Sequence, residues 1–123
     1  MESKTYNGSC HCKANTFKVT VSPPLEDGHE VNDCNCSICT TNGYRLAIVS
    51  DDSVTWEKGG LDTLKKYKFG SRNLSHYFCP ECGTSLAAGG SLGGVSKIGI
   101  SIRALEGVDV SKLKLKPFDG KAM

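Results

Sequence analysis

Apolar and polar residues alternate with a period of two along much of this chain, and such alternation is typical of half-buried β-strands. Residues 97–103 show it most clearly, because isoleucines there occupy every second position between polar or small neighbours. Phe17, Val19 and Val21 alternate with polar residues in the same way. The period of 3.6 residues that marks an amphipathic helix is nearly absent. Further strands are predicted at residues 44–49, 54–56, 73–78, 84–88 and 113–115, the last of them a charged edge strand.

The segment at residues 61–69 fits both the period of a helix and the period of a strand. Leu61, Leu64 and Lys68 could share one face of a helix. Tyr67 and Phe69 instead fit a strand, which is the structure that we expect. Fourteen glycines supply turn signals between the apolar segments. Many short strands separated by regular turns predict a mainly β fold.

The length and composition agree with one compact domain and argue against nucleic acid and membrane as partners. A chain of 123 residues has room for one hydrophobic core and contains no repeat or linker, so residues 1–123 are predicted to form a single domain. Fifteen Lys and Arg residues against thirteen Asp and Glu give a formal charge of +2, which does not indicate a nucleic-acid-binding protein. The apolar runs are too short to cross a membrane, and the first residues do not resemble a signal peptide. We therefore expect a cytoplasmic protein, with the nucleus as a further compartment.

Seven cysteines are the unusual feature of the composition. Their number is odd and no signal peptide is recognised, so a secreted disulfide framework is not expected. Clustered thiols in a reducing compartment more often hold a metal ion. The cysteines form three groups along the chain, namely Cys10 with Cys12, then Cys34, Cys36 and Cys39, then Cys79 with Cys82.

The first and last groups together supply four thiols for a structural zinc. Cys79 and Cys82 lie in the motif C-P-E-C-G, whose spacing lets both sulfurs reach one tetrahedral ion, and Gly83 relieves the backbone beside them. If Cys10 and Cys12 lie on an extended segment, their side chains point to the same side. A zinc ion on these four thiolates would join the first strand to a late one. The alternative is a set of free buried thiols, which the paired motifs disfavour.

The central group, C-N-C-S-I-C, predicts a different kind of metal site. Cys34, Cys36 and Cys39 lie within six residues and can converge on one ion, but no fourth cysteine remains for it. Three protein ligands with one open position are typical of catalytic zinc. Because three thiolates make the ion electron-rich, it should activate water poorly and hold a substrate thiol as thiolate instead. We therefore expect two zinc ions per chain, one structural and one catalytic.

Other roles for these residues remain open. His29 or His76 could be a fourth ligand of the central ion, which would then be a second structural zinc. A disulfide between Cys36 and Cys39 would give a redox function. His11 would point away from its neighbours on an extended segment, so we expect a surface histidine there rather than a ligand.

Three blocks of sequence resemble the glutathione-dependent formaldehyde-activating enzyme / centromere protein V family. They are residues 8–12 (G-S-C-H-C), 34–39 (C-N-C-S-I-C) and 78–84 (F-C-P-E-C-G-T), and with residues 100–109 the likeness covers nearly the whole chain. The resemblance implies a β-tent fold of mainly antiparallel strands held by zinc, with a structural zinc on the outer cysteine pairs and a second zinc on the central three. It also implies the joining of formaldehyde and glutathione to S-hydroxymethylglutathione, which is classed as a carbon–sulfur lyase reaction.

Three residues depart from the pattern of that family. Lys13 stands where members often have glycine, Asn35 where histidine is common, and Ser101 where asparagine is frequent. None of these positions is a predicted metal ligand. The departures therefore bear on the pocket and the substrate rather than on the fold.

The sequence thus predicts a zinc-dependent carbon–sulfur lyase. It would act on an adduct of glutathione, or of a related small thiol, with formaldehyde or a similar electrophile. Cys34, Cys36 and Cys39 would be its catalytic residues, with zinc presenting the substrate thiolate. The alternative is a non-catalytic binding module scaffolded by zinc, and neither nucleic acid nor membrane is expected as a partner.

Four further side chains are candidates for supporting roles. Asp33, next to Cys34, or His76 could relay a proton near the site, although both residue types are also common at ordinary strand and surface positions. Arg45 or Arg72 could bind a carboxylate of a glutathione-like substrate, since guanidinium groups pair well with carboxylates.

Overall fold

The computed structural model describes residues 2–35, 37–43, 45–68, 75–92 and 95–118. Within these ranges the chain forms ten β-strands and one α-helix, so the predicted mainly β fold is confirmed. The strands are β1 Lys4–Ser9, β2 Thr16–Val21, β3 Val31–Cys34, β4 Leu46–Ser50, β5 Val54–Lys58, β6 Lys65–Tyr67, β7 Ser75–Phe78, β8 Ser85–Leu92, β9 Val95–Ser101 and β10 Leu115–Phe118. The helix is α1, Ser37–Asn42. Short 3-10 helices lie at Leu25–Asp27, Asp51–Ser53, Ile102–Ala104 and Val110–Lys112.

The strands form two sheets. A three-stranded antiparallel sheet has the order β1-β2-β5. A seven-stranded sheet has the order β10-β3-β4-β9-β8-β7-β6, and its neighbours are antiparallel except for the parallel pair β10 and β3. β10 lies at one edge of this sheet, as its lysines predicted, because charged side chains at an edge oppose pairing with another chain.

The main hydrophobic core combines side chains of both sheets. Gly8 of β1 lies opposite Phe17 of β2, and the absence of a side chain there leaves space for the buried ring. β9 confirms the predicted alternation, since it buries Ile98 and Ile100, and Ile102 enters the core just after the strand. Buried strand residues of this core include Tyr6, Phe17, Val19, Val21, Val31, Val49, Leu86, Ile98 and Ile100.

A second, smaller apolar cluster lies on the opposite face of the seven-stranded sheet. Because side chains alternate along a strand, β4 directs Ala47 and Val49 into the main core and Leu46 and Ile48 to the other face. α1 packs on this outer face, where its Cys39 is buried together with Leu46. The sheet therefore separates the main core from the surface that carries the helix.

Two strands and the helix were not predicted from the hydrophobic pattern. β1 and β3 contain one large buried apolar side chain each, Tyr6 and Val31, which is too little for a recognisable alternation. α1 has the sequence S-I-C-T-T-N, with few strong helix formers, and its six residues are too short to form a helix alone. These elements depend on pairing or packing with distant parts of the chain.

The predicted strands differ from the observed ones mainly at their ends. The strand expected at 84–88 continues to Leu92, and the one expected at 113–115 begins only at Leu115. The ambiguous segment contains the expected strand, β6, preceded by a turn. Positions assigned to strands but outside the described residues are Tyr44, Phe69, Asn73 and Leu74. In the described part of the chain, no helix has the length and apolar character needed to span a membrane.

Candidate metal centre and substrate site

Four thiols that are far apart in sequence meet in one place, which we call the four-thiol cluster: Cys10, Cys12, Cys79 and Cys82. Their Sγ atoms all lie within 4.8 Å of one another. The Sγ atom of Cys12 is 3.7 Å from that of Cys10 and 3.7 Å from that of Cys79. Zinc–sulfur bonds of about 2.3 Å in a tetrahedron place the sulfurs about 3.8 Å apart. The observed spacing therefore fits a tetrahedral ion with four thiolate ligands.

Cys10 and Cys12 lie on the turn between β1 and β2, so the extended segment suggested by their spacing was wrong. The Cys10 N–H donates to the Asn15 carbonyl oxygen over 3.1 Å, and the Lys13 N–H donates to the Cys10 carbonyl oxygen over 3.2 Å. The chain must reverse here because β1 and β2 pair along their whole length. The turn, rather than strand alternation, brings the two sulfurs together.

His11 takes part in the cluster only through its backbone. Its N–H donates to the Thr84 hydroxyl oxygen over 3.1 Å and so ties the first cysteine pair to the last. The residue is exposed, as predicted for a surface histidine, although it lies on a turn rather than on an extended segment.

Asn15 supports the cluster and was missed in the sequence. It is 3 % exposed, and its backbone N and Nδ2 lie 3.4 and 3.6 Å from the Cys10 Sγ atom. Its Oδ1 accepts hydrogen bonds from the Gly60 N–H and the Thr63 hydroxyl. No local signal marks this role, because asparagine is common in exposed turns.

The last cysteine pair lies on a tight turn with the predicted glycine. The Gly83 N–H donates to the Cys79 carbonyl oxygen over 2.8 Å, and the Cys79 N–H donates to the Thr84 carbonyl oxygen over 3.0 Å. Gly83 has a φ of +78°, a conformation that side chains disfavour. The Thr84 hydroxyl lies 3.2 Å from the Cys82 Sγ atom.

The pKa values of the clustered thiols shift in opposite directions. Hydrogen bonds from the side chain and backbone of Thr84 lower the pKa of Cys82 to about 5. Burial raises the pKa of Cys10, but the donors of Asn15 outweigh it, so the net shift is downward. A backbone N–H lowers the pKa of Cys12, but burial and the neighbouring sulfurs raise it to about 12. Since adjacent thiolates repel one another, a cation is needed to keep all four deprotonated, and zinc suits these soft ligands.

Two of the three central cysteines meet on the outer face of the seven-stranded sheet. Cys34 ends β3, and Cys39 of α1 is 5 % exposed and packs with Leu46. Cys34 is half-buried against the same cluster. Cys36 lies outside the described residues, so the site with three thiolates remains a prediction. Cys39 and the buried thiols Cys10 and Cys79 belong to different apolar clusters.

His76 lies on the face of the sheet that carries Cys39. It pairs across β7 and β8 with Ala88, which packs against the cluster of Cys39 and Leu46. Directly opposed residues carry their side chains on the same face of a sheet, and His76 is 5 % exposed there. Tyr67 of β6 is the next residue in this row.

A cavity of about 290 Å³ lies between α1 and β6. Ser37, Ile38 and Thr41 of the helix line one side of it, and Tyr67 lines the other. The cavity is thus bordered by the helix that carries Cys39. A volume of this size accommodates a small ligand.

The remaining candidate residues from the sequence are two arginines, an aspartate and a histidine. The Arg45 Nε atom lies 3.4 Å from an Asp33 carboxylate oxygen, so these two candidates pair with each other. His29 Nδ1 lies 3.2 Å from the Ser22 carbonyl oxygen, on the connection between β2 and β3. Arg72 lies outside the described residues.

Two sheets and a four-thiol cluster formed by a C-x-C turn and a C-x-x-C turn define a mainly β protein with a candidate metal centre. The chain belongs to the family of the glutathione-dependent formaldehyde-activating enzyme, because the model of that family matches residues 5–117. The resemblance seen in the sequence is thereby confirmed. A crystal structure of a Rhodobacter sphaeroides protein is similar, with a TM-score of 0.72 and 25% sequence identity over 89% of this chain and 99% of that chain.

Proposed function

We propose that this protein is a zinc-dependent carbon–sulfur lyase that acts on an adduct of glutathione, or a related thiol, with formaldehyde or another small electrophile. Membership in the family supports the chemical class. The observation that carries the proposal is the burial of Cys39, in the cluster that Cys34 packs against, on a helix that borders a cavity and apart from the four-thiol cluster. A second group of thiols on an element that borders a cavity suits substrate binding better than structural support.

The four-thiol cluster would hold the structural zinc. Cys10 and Cys79 are fully buried, whereas Cys12 is exposed and Cys82 is partly buried. The buried sulfurs lie in the main core, so the centre would fix the ends of β1, β7 and β8 against each other. Its four protein ligands complete a tetrahedron, which is the coordination of a structural rather than a catalytic zinc.

Cys34, Cys36 and Cys39 would hold the second zinc. When bound, zinc lowers the pKa of a coordinating thiol and keeps it deprotonated at neutral pH. α1 and β3 orient two of these cysteines, and packing with Leu46 fixes Cys39. Apolar neighbours such as Ile38 and Ile48 exclude water from one side of the group.

In the reaction with formaldehyde, the substrate sulfur loses its proton and forms a bond to the carbonyl carbon, while the carbonyl oxygen gains a proton. In the opposite direction the hydroxyl proton leaves, the carbon–sulfur bond breaks and the sulfur regains a proton. His76, on the same face as Cys39, is the residue we assign to carry this proton. Asp33 is the poorer candidate because it pairs with Arg45.

Replacement of one central cysteine tests the proposal. Cys36→Ser should abolish the formation of the thiol–formaldehyde adduct, yet keep a wild-type circular dichroism spectrum, because the four-thiol cluster is intact. The zinc content should fall from two ions to one per chain. Ser37→Ala, next to the replaced residue, is a matched control that should keep both ions.

Two results would overturn the proposal. A folded Cys36→Ser protein with wild-type turnover would exclude a catalytic role for the central group. A zinc-loaded wild-type protein that is inert towards every thiol and aldehyde tested would favour the binding module, which is the alternative function of this scaffold.

A further inference from the structure

A groove of about 480 Å³ lies where the end of β1, the start of β8 and the end of β9 meet. The residues that matter here are Lys13, Thr84, Ser101, Arg103 and Glu106, all of which line it. Its volume is within the range of sites for small-molecule ligands. The chemistry proposed for the central cysteines does not require these residues, which lie on three separate segments of the chain.

The groove carries two cationic side chains and one anionic side chain on backbones that are held in place. Lys13 lies on the hydrogen-bonded turn after Cys10, and its Nζ atom is 3.1 Å from the Ser9 hydroxyl. Arg103 lies in the 3-10 helix at Ile102–Ala104. The Glu106 N–H donates to the Asn7 carbonyl oxygen over 2.8 Å, which fixes this residue beside β1.

One wall of the groove approaches the central cysteines. Ser101 lines the groove, is 5 % exposed and pairs across β9 and β4 with Leu46. Leu46 in turn packs against Cys39. Opposed residues in antiparallel strands have Cα atoms about 5 Å apart. The wall of the groove at Ser101 is therefore one strand spacing from Leu46, the residue that packs against Cys39.

The charges in the groove match those of glutathione, which has two carboxylates and one ammonium group. We propose that the groove binds the charged backbone of this substrate, with its carboxylates on Lys13 and Arg103 and its ammonium group on Glu106. This inference rests on the proposed function for its choice of ligand. Lys13 and Arg103 thus take the carboxylate-binding role that the sequence had suggested for Arg45, which instead pairs with Asp33.

The test uses S-methylglutathione, which keeps all three charges but has no thiol to offer to a metal. Titration into the zinc-loaded protein, followed by amide chemical shifts in NMR spectra, should shift the signals of Lys13, Arg103 and Glu106 in a saturable way. Because exposed ion pairs are individually weak, Lys13→Gln and Arg103→Gln should each raise the dissociation constant by about two- to five-fold. Lys112→Gln, which removes an exposed lysine that does not line the groove, should leave it unchanged.

A kinetic comparison separates this inference from the proposed function. With Arg103→Gln, the ratio of the KM for glutathione to the KM for uncharged 2-mercaptoethanol should rise about two- to five-fold. If Lys13→Gln and Arg103→Gln both keep turnover and the wild-type ratio of KM values, the inference is wrong and the proposed function stands. The same holds if S-methylglutathione shifts only signals of residues outside the groove. Saturable shifts in the groove of a protein without turnover would support the inference and overturn the lyase reaction.

Discussion

At the scale of single residues, Lys13 has a strained backbone conformation and carries a positive charge that lines the groove. Its φ is +68°, and among the described residues it is the one non-glycine residue with a positive φ. This conformation costs about 1–2 kcal/mol for a residue with a Cβ atom. The resemblance to the family gave glycine as the common residue here, which the observed φ explains. A lysine at this position places a cation in the groove beside the four-thiol cluster.

Lys13→Gly should therefore raise the free energy of unfolding of the zinc-loaded protein by up to about 1 kcal/mol, because glycine adopts a positive φ without strain. Urea denaturation at a fixed zinc concentration measures the change. Lys13→Ala keeps the Cβ atom and is the control that should show no such gain. A clear loss of stability in the glycine variant would contradict this explanation of the backbone.

At the scale of elements, β1 depends on one tyrosine that joins it to the 3-10 helix at Leu25–Asp27. Tyr6 is 3 % exposed, its hydroxyl donates to a Glu26 carboxylate oxygen over 2.5 Å, and it accepts from the Leu25 N–H over 2.9 Å. Burial, with the hydrogen bond to Glu26, raises the pKa of Tyr6 to about 12. The same hydrogen bond lowers the pKa of Glu26.

Tyr6→Phe should lower the free energy of unfolding by about 1–3 kcal/mol, because the Leu25 N–H loses its buried acceptor and Glu26 loses a donor. Lys4→Gln, which removes an exposed ion pair with Glu26 and a cation 5.0 Å from the centre of the Tyr6 ring but leaves the buried hydroxyl in place, should cost less than about 1 kcal/mol. Urea denaturation of the three proteins at neutral pH measures both changes. Equal effects of the two variants would contradict the role given to the buried hydroxyl.

The advantage of the wild type over Tyr6→Phe should also depend on pH. The pKa of Tyr6 rises from 10.0 to about 12 on folding, so the folded state holds this proton more tightly. Its contribution to stability is fully present below pH 10 and is lost as the pH rises towards 12. Denaturation curves of both proteins across this range should therefore converge at high pH. A difference that stays constant would contradict the assignment.

At the scale of the whole molecule, the four-thiol cluster joins two segments that are far apart in the chain. Cys12 and Cys79 are 67 positions apart, and their sulfurs are in contact distance. Structural zinc sites bind their ion with about 10–16 kcal/mol in small domains, which is comparable to the whole stability of an ordinary domain. Binding of the ion and folding are therefore expected to be coupled.

Cys82→Ser should leave the protein largely unfolded or insoluble, because it removes one of the four thiols that we propose hold the structural zinc. Thermal melts with zinc analysis check this, and Cys36→Ser, which leaves the cluster intact, is the comparison variant. A Cys82→Ser protein that keeps its cooperative melt and its full zinc content would contradict the structural role of the cluster.

The sequence by itself determined the features that depend on neighbouring residues. The period of two predicted β2, β7 and β9, and the C-P-E-C-G motif predicted the turn at Gly83, because strand alternation and turn chemistry act over a few residues. The spacing of the cysteines and the three sequence blocks were sufficient to find the family, which the match over residues 5–117 confirmed.

Only the tertiary structure decided which distant residues meet. β1, β3 and α1 have weak local signals, and they form because strand pairing and packing on the sheet supply what the local sequence lacks. The register of β7 with β8 places His76 on the face of Cys39, and no local pattern contains that register. The groove likewise combines Lys13 with residues some ninety positions later. Such long-range contacts depend on the burial of many side chains at once, which is why the cysteine motifs could be recognised in the sequence but the residues that lie beside them could not.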